Sequence, residues 1–116
     1  MSSSFEVGDV VICAVFYEER LETKRRPVVI VEKYNDSSYA VKVTSTNIPR
    51  KFPGKYKGRW IEEGSEAYKM MGLRKASFVY HQNSGATTIS NVMFTHVIGR
   101  YPYIEELLQD LIEENV

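Results

Sequence analysis

A chain of 116 residues, 43% of them hydrophobic, is one domain's worth of protein and can bury a core without covalent or metal staples. Its one cysteine, Cys13, can form no internal disulfide, and no stretch nears the roughly 20 apolar residues of a membrane span, so secreted and membrane classes are disfavoured and a cytoplasmic location fits best. The formal net charge is zero, but residues 1–19 hold four acids and no base, residues 20–60 eleven bases against three acids, and residues 61–116 four bases against eight acids. A cationic middle between acidic ends points to a polyanionic partner; the bland alternative is a scatter of solvated surface charges.

The opening Met1-Ser2-Ser3-Ser4 lacks a basic region leading into an apolar one and is expected to be disordered, with the rest of 1–116 a single domain. Val10 to Phe16 is a short, continuous, β-branched apolar run, which predicts a strand buried on both faces. Tyr17 to Lys24 is polar and reads as a long loop ending at Arg25-Arg26, after which Pro27 opens a second strand filled by Val28 to Val31. Asn35 to Ser38 is a turn cluster, and the alternation of Tyr39, Val41 and Val43 predicts a third strand running to Thr44-Ser45-Thr46.

Residues 48–60 read as irregular and basic. Ser65 as cap and Gly72 as left-handed stop bound a short helix over Glu66 to Met71. Strands are expected at 76–80, around 87–89 and at 97–101, with a turn at Asn83 to Gly85 and a single turn after Ser90. Ile104, Leu107, Leu108, Leu111 and Ile112 then follow helical spacing, which predicts an amphipathic C-terminal helix with Glu105, Glu106, Glu113 and Glu114 facing water. The fold class is mainly β: a small, strongly curved antiparallel sheet or barrel with helical decoration.

Several chemistries have no residues to support them. There is no phosphate-binding Gly-rich loop with Lys-Ser/Thr, no Cys pair or His-Glu-x-x-His for zinc, and three aspartates are few for a carboxylate-built metal site. His81 and His96 each offer an acid or base, but no nucleophile is paired with either, so ordinary roles at the surface or core edge are expected. No cofactor is implied.

What remains is a site of Arg and hydroxyl groups. Counting outward from the turn near Asp36, the start of strand two folds back beside the end of strand three, placing Arg26 and Thr44 within about two residues of opposition. A guanidinium beside a hydroxyl grips a phosphate and can stabilise extra negative charge on phosphorus. Lys24, Arg25 and Thr46 flank the pair, which read blandly is a cross-strand surface contact. The segment Arg50-Lys51-Phe52-Pro53-Gly54-Lys55-Tyr56-Lys57-Gly58-Arg59-Trp60 interleaves cations with aromatic rings, as single-stranded nucleic acid binders do, so Arg50, Lys51, Lys55, Tyr56, Lys57 and Arg59 are candidate contacts. Alternatively Phe52, Tyr56 and Trp60 tuck into the core and pin the loop.

Taken in order, Phe5-x-x-Gly8-Asp9-Val10-Val11, Lys24-Arg25-Arg26-Pro27-Val28-Val29-Ile30-Val31, Val41-x-Val43-Thr44-Ser45, Gly72-Leu73-x-Lys75-x-Ser77-x-Val79, Thr88-Ile89 and Ile98-Gly99-Arg100 resemble the MazF/PemK family of toxin endoribonucleases. The resemblance spans residue 5 to about 115. It implies an SH3-like barrel, a homodimer, a cognate antitoxin protein, and metal-independent, sequence-specific cleavage of single-stranded RNA to a 2′,3′-cyclic phosphate and a 5′-hydroxyl. It maps the family's catalytic pair onto Arg26 and Thr44, with Ser45 adjacent and Glu22, one position out of register with a loop carboxylate of some relatives, as secondary candidates. The first loop is bulkier and more acidic than the family's, Ala76 stands where a Pro is common, and Ala86 and Thr87 replace frequent basic residues. A non-catalytic barrel that binds nucleic acid or a protein partner is the alternative function.

Overall fold

The computed structural model describes residues 5–17 and 22–114; the side chains of 15–17, 22 and 23 lie outside the description, as does the start expected to be disordered. Seven antiparallel strands form one curved sheet: β1 (Asp9–Tyr17), β2 (Glu22–Lys33), β3 (Ser37–Thr44), β4 (Gly58–Ile61), β5 (Ser77–Tyr80), β6 (Ala86–Ser90) and β7 (Phe94–Arg100). Three helices accompany them, α1 (Ile48–Lys51), α2 (Glu66–Met71) and α3 (Ile104–Glu114). Strand order is β4-β5-β3-β2-β1-β7, with β6 on β3. The mainly-β barrel-like class expected from the sequence is the class found.

The β1–β2–β3 meander carries the site. β1 and β2 pair from Val10↔Val29 to Tyr17↔Glu22, so Tyr17 and Glu22 to Lys24, expected in a long loop, are ladder, and β2 starts five residues ahead of Pro27. The reason is non-local: backbone pairing with β1 satisfies a polar segment whose side chains show no strand pattern. Within β2–β3 the register shifts by one between Ile30 and Glu32, an extra residue in the β2 strand. With that bulge the last β2–β3 pair is Val28↔Lys42, so Arg26 on β2 and Thr44 on β3 each lie two residues beyond it. The β2–β3 ladder stops at Val28↔Lys42, just before Pro27, which has no N–H to donate. From Val43 onward the far edge of β3 pairs with β5, at Val43↔Val79 and Thr44↔Phe78.

Because both faces of the sheet are covered, β1 and β2 bury consecutive residues. One core cluster gathers Val10, Val29, Val41, Val43, Ile61, Met71, Tyr101, Leu107 and Leu111; the other gathers Phe5, Val11, Cys13, Val28, Ile30, Ala40 and Phe94. α3 closes the first cluster with Leu107 and Leu111, each fully buried leucine contributing about 2 kcal/mol. Ile104 and Leu108 sit at its margin, but Ile112 is 59% exposed, so the expected five-residue stripe ends one residue early.

α2 begins and ends as its sequence dictates. The Ser65 hydroxyl accepts from the Tyr68 N–H, and Gly72, at φ 69°, closes the helix with bonds Gly72 N–H to Lys69 O (3.2 Å) and Leu73 N–H to Tyr68 O (3.3 Å). β7 passes so close to this helix that a Cβ on Gly99 would overlap the Met70 and Met71 backbone. Gly99→Ala should therefore cost about 1–3 kcal/mol, read as a lowered urea midpoint at unchanged slope.

Candidate active site

Where β2 and β3 separate beyond Val28↔Lys42, a cleft of about 680 Å³ opens. Ile12, Pro27, Val43, Leu73 and Ile98 give it apolar lining; Lys24, Arg25, Arg26, Arg74 and Lys75 bring five cations, and Thr44, Ser45 and Thr46 three hydroxyls. No carboxylate lines it among the described residues. Arg25 and Arg26 are exposed and Thr44 is half-buried. The Thr44 hydroxyl accepts the Thr46 N–H and donates to Thr46 Oγ1, both at 3.3 Å, which fixes the turn that carries all three hydroxyls. A cleft with this lining has the chemistry to hold a phosphate or phosphodiester: an Arg fork offers paired donors and permanent charge, and hydroxyls offer orientation.

Three more residues reach the cleft than the sequence reading assigned to it. Arg74 and Lys75 arrive because Gly72 stops α2 and turns the chain, and because the buried Ser77 hydroxyl donates to Lys75 O (2.9 Å) and holds that turn. His96 arrives through β7, where it lies opposite Ile12, itself opposite Pro27. It is exposed, as a surface role expects, and it also lines the cleft. Lys75 stood in a quoted motif; nothing local marked Arg74 or His96.

The cationic aromatic segment lies elsewhere. None of Arg50, Lys51, Lys55, Tyr56, Lys57 or Arg59 lines the cleft. Arg50 makes a bidentate pair with Glu62 (2.7 and 2.8 Å) and stacks over Trp60, 4.2 Å from the ring centre. Arg59 makes a bidentate pair with Glu106 (2.5 and 2.9 Å), and Lys57 reaches Asp110 at 3.3 Å. Trp60 packs on Phe78 and Tyr56 on Tyr80, as the core-pinning alternative expects, whereas Phe52 stays 51% exposed with Lys55 near its ring. Glu22 opens β2 opposite Tyr17, but its side chain lies outside the described residues.

Glu106 consequently does not simply face water. It belongs to a polar centre under α3 built on His81, which is 1% exposed. His81 Nδ1 lies 2.7 Å from Asp110 Oδ2 and Nε2 lies 2.6 Å from the Tyr101 hydroxyl. Burial pushes the Tyr101 phenol up, so it keeps its proton and donates to Nε2, leaving Nδ1–H to donate to Asp110. Burial also pushes Asp110 up, but the hydrogen bonds from His81 and Lys57 outweigh it and hold the carboxyl below its usual range. The Arg59 hydrogen bonds hold Glu106 down in the same way. His81, Glu106 and Asp110 present ligand atoms within 4.8 Å of one another, yet Lys57 and Arg59 already neutralise both carboxylates, so the group acts as a clamp on α3.

This architecture has a counterpart among solved structures. The chain has the fold of an endoribonuclease from Mycobacterial species. The two superpose with a TM-score of 0.61 at 16% identity, over 99% of this chain and 94% of that one. No family model matches the chain, and no curated protein matches its sequence.

Proposed function

We propose that this protein is an endoribonuclease that cleaves single-stranded RNA in the cleft between β2 and β3, as the toxin of a toxin–antitoxin pair of the MazF/PemK kind. The observation that carries the reading is Arg26 and Thr44 lining one cationic cleft that has no carboxylate among its described residues, on a chain with an endoribonuclease's fold. In this reading the ribose 2′-oxygen attacks the adjacent phosphorus, the P–O5′ bond breaks, and a 2′,3′-cyclic phosphate and a 5′-hydroxyl result. Arg26 stabilises the charge that builds on the phosphoryl oxygens, worth about 10²–10³ in rate for one donor group. Thr44, with Ser45 beside it, orients the phosphate. Among the described residues no carboxylate lines the cleft, and cleavage is expected to proceed in the presence of a chelator.

Lys24, Arg25 and Thr46, with Arg74 and Lys75, hold the flanking phosphates. The homodimer, the antitoxin partner and the cytoplasmic setting belong to the same proposal. Incubating the protein with a long single-stranded RNA in EDTA and mapping the ends tests it: cyclic phosphates at short recurring sequences are expected, and intact RNA would refute it.

The path of the RNA makes a separate expectation. On a non-cleavable 2′-deoxy oligonucleotide, Arg74→Ala and Lys75→Ala should each weaken binding severalfold and flatten the salt dependence by about 0.7 in logarithmic slope. Lys51→Ala and Lys55→Ala should leave both within experimental error, because neither side chain lines the cleft. Fluorescence anisotropy across a salt series reads this directly, and a larger effect at Lys55 would place the strand on the aromatic loop.

A further inference from the structure

We infer that His96 is the general base of the cleft, taking the proton from the attacking 2′-hydroxyl; the inference rests on the ribonuclease reading above. Among the described residues that line the cleft, His96 is the one imidazole, and no carboxylate accompanies it, so it is the one side chain there of a type that commonly serves as a general base. The neighbouring side chains are Lys24, Arg25 and Arg26 on β2 and Arg74 and Lys75 after α2, which donate hydrogen bonds, together with the Thr and Ser hydroxyls.

Its hydrogen bonds select the tautomer that a base needs. Thr95 Oγ1 lies 3.3 Å from the Ile12 carbonyl oxygen and 3.0 Å from His96 Nδ1. A carbonyl can only accept, so the single Thr95 hydroxyl proton goes to Ile12, and Thr95 Oγ1 accepts from His96. Nδ1 therefore carries the proton of the neutral ring, and the lone pair is on Nε2. Thr95 positions the ring; His96 touches the substrate.

The strand register sets the reach. His96 on β7, Ile12 on β1 and Pro27 on β2 lie side by side, so the backbones of His96 and Pro27 are about two strand spacings, roughly 10 Å, apart across Ile12, with Arg25 and Arg26 just before Pro27 on β2 and lining the same cleft. An imidazole from one side and a guanidinium from the other can meet a single phosphodiester between them. As O2′ bonds to phosphorus its proton passes to Nε2, giving imidazolium. P–O5′ breaks, the departing oxygen takes a proton from water in the open cleft, and the imidazolium returns its own to solvent.

Cleavage of a short RNA by the wild type, His96→Ala, His96→Gln and Glu22→Gln should be measured from about pH 5 to pH 9 in EDTA, with kcat and KM resolved. Loss of the base should lower kcat by about 10²–10⁴-fold with KM little changed, remove the limb on which log kcat rises with pH, and allow partial rescue of His96→Ala by added imidazole. Both His96 variants should melt with the wild type, since the ring is exposed. If His96→Ala cuts within threefold of wild type, or if only Glu22→Gln removes the acid limb, His96 is not the base, while the ribonuclease reading stands. A wild type that binds RNA and never cuts it removes that reading, and this assignment with it.

Discussion

Arg26→Ala should lower the cleavage rate by about 10²–10³-fold while leaving the unfolding midpoint unchanged. The separation of the two effects is what makes the experiment informative. Arg26 is exposed, and its neighbours on the same strand face, Val28 and Ile30, keep their core contacts without it. Its placement comes from the backbone: it pairs with Cys13 on one side, and on the other the bulged β2–β3 register ends at Val28↔Lys42, two residues short of both Arg26 and Thr44. Arg26→Lys keeps the charge but not the planar fork, so it should recover binding more fully than rate. Thr44→Ala should cost less than Arg26→Ala, and Thr44→Ser should regain most of that loss. A kcat within threefold of wild type for Arg26→Ala would end the proposed mechanism.

Asp110→Ala is expected to be the most destabilising of the polar substitutions, by about 2–4 kcal/mol, or roughly 10 °C in Tm. It strands Nδ1 of His81, which is 1% exposed, leaving the Tyr101 hydroxyl on Nε2 and Glu106 Oε2 at 3.8 Å, beyond hydrogen-bond reach, and it releases Lys57. α3 would lose its polar anchor beside the buried Leu107 and Leu111. The pH dependence has a defined sign. The Asp110 carboxyl is held down in the folded protein, so the unfolded chain takes up its proton at higher pH than the folded one does. The contribution is complete above the ordinary carboxylate range and is lost as pH falls through that range toward the folded value. Glu106, held down by Arg59, adds to the same acid limb. Urea midpoints for wild type and Asp110→Asn at several pH values between 7 and 3 should converge on acidification; parallel curves would show that the carboxylate's charge contributes nothing.

Elements governed by local chemistry were legible in the sequence. The Ser65 cap and Gly72 stop bound α2 as expected, and the apolar runs of β1 and β3 and the helical spacing of α3 located those elements. β2 from Glu22 to Arg26 and β4 were not legible, because their strand character comes from partners: β1 for one, β5 for the other. Counting from the turn put Arg26 and Thr44 near each other, and both line the cleft just beyond the last β2–β3 pair. Sequence proximity misled for Lys57 and Arg59, whose acidic partners lie 53 and 47 positions further along the chain. His96 illustrates the converse, a cleft residue whose local sequence names no partner because its position follows from β7 register alone.

β3 is engaged along both edges, by β2 on one side and by β6 and then β5 on the other. A chain made from its N-terminus can zip β1, β2 and β3 together as soon as residue 44 is free, but the outer edge of β3 stays open until residues 77–90 arrive. For that interval the growing chain presents an apolar strand with unmatched amides and carbonyls, the form most prone to pairing with a second chain. The slow, long-range step is closure of this one edge, so refolding yield should depend on protein concentration before β5 and β6 dock and become independent of it afterwards.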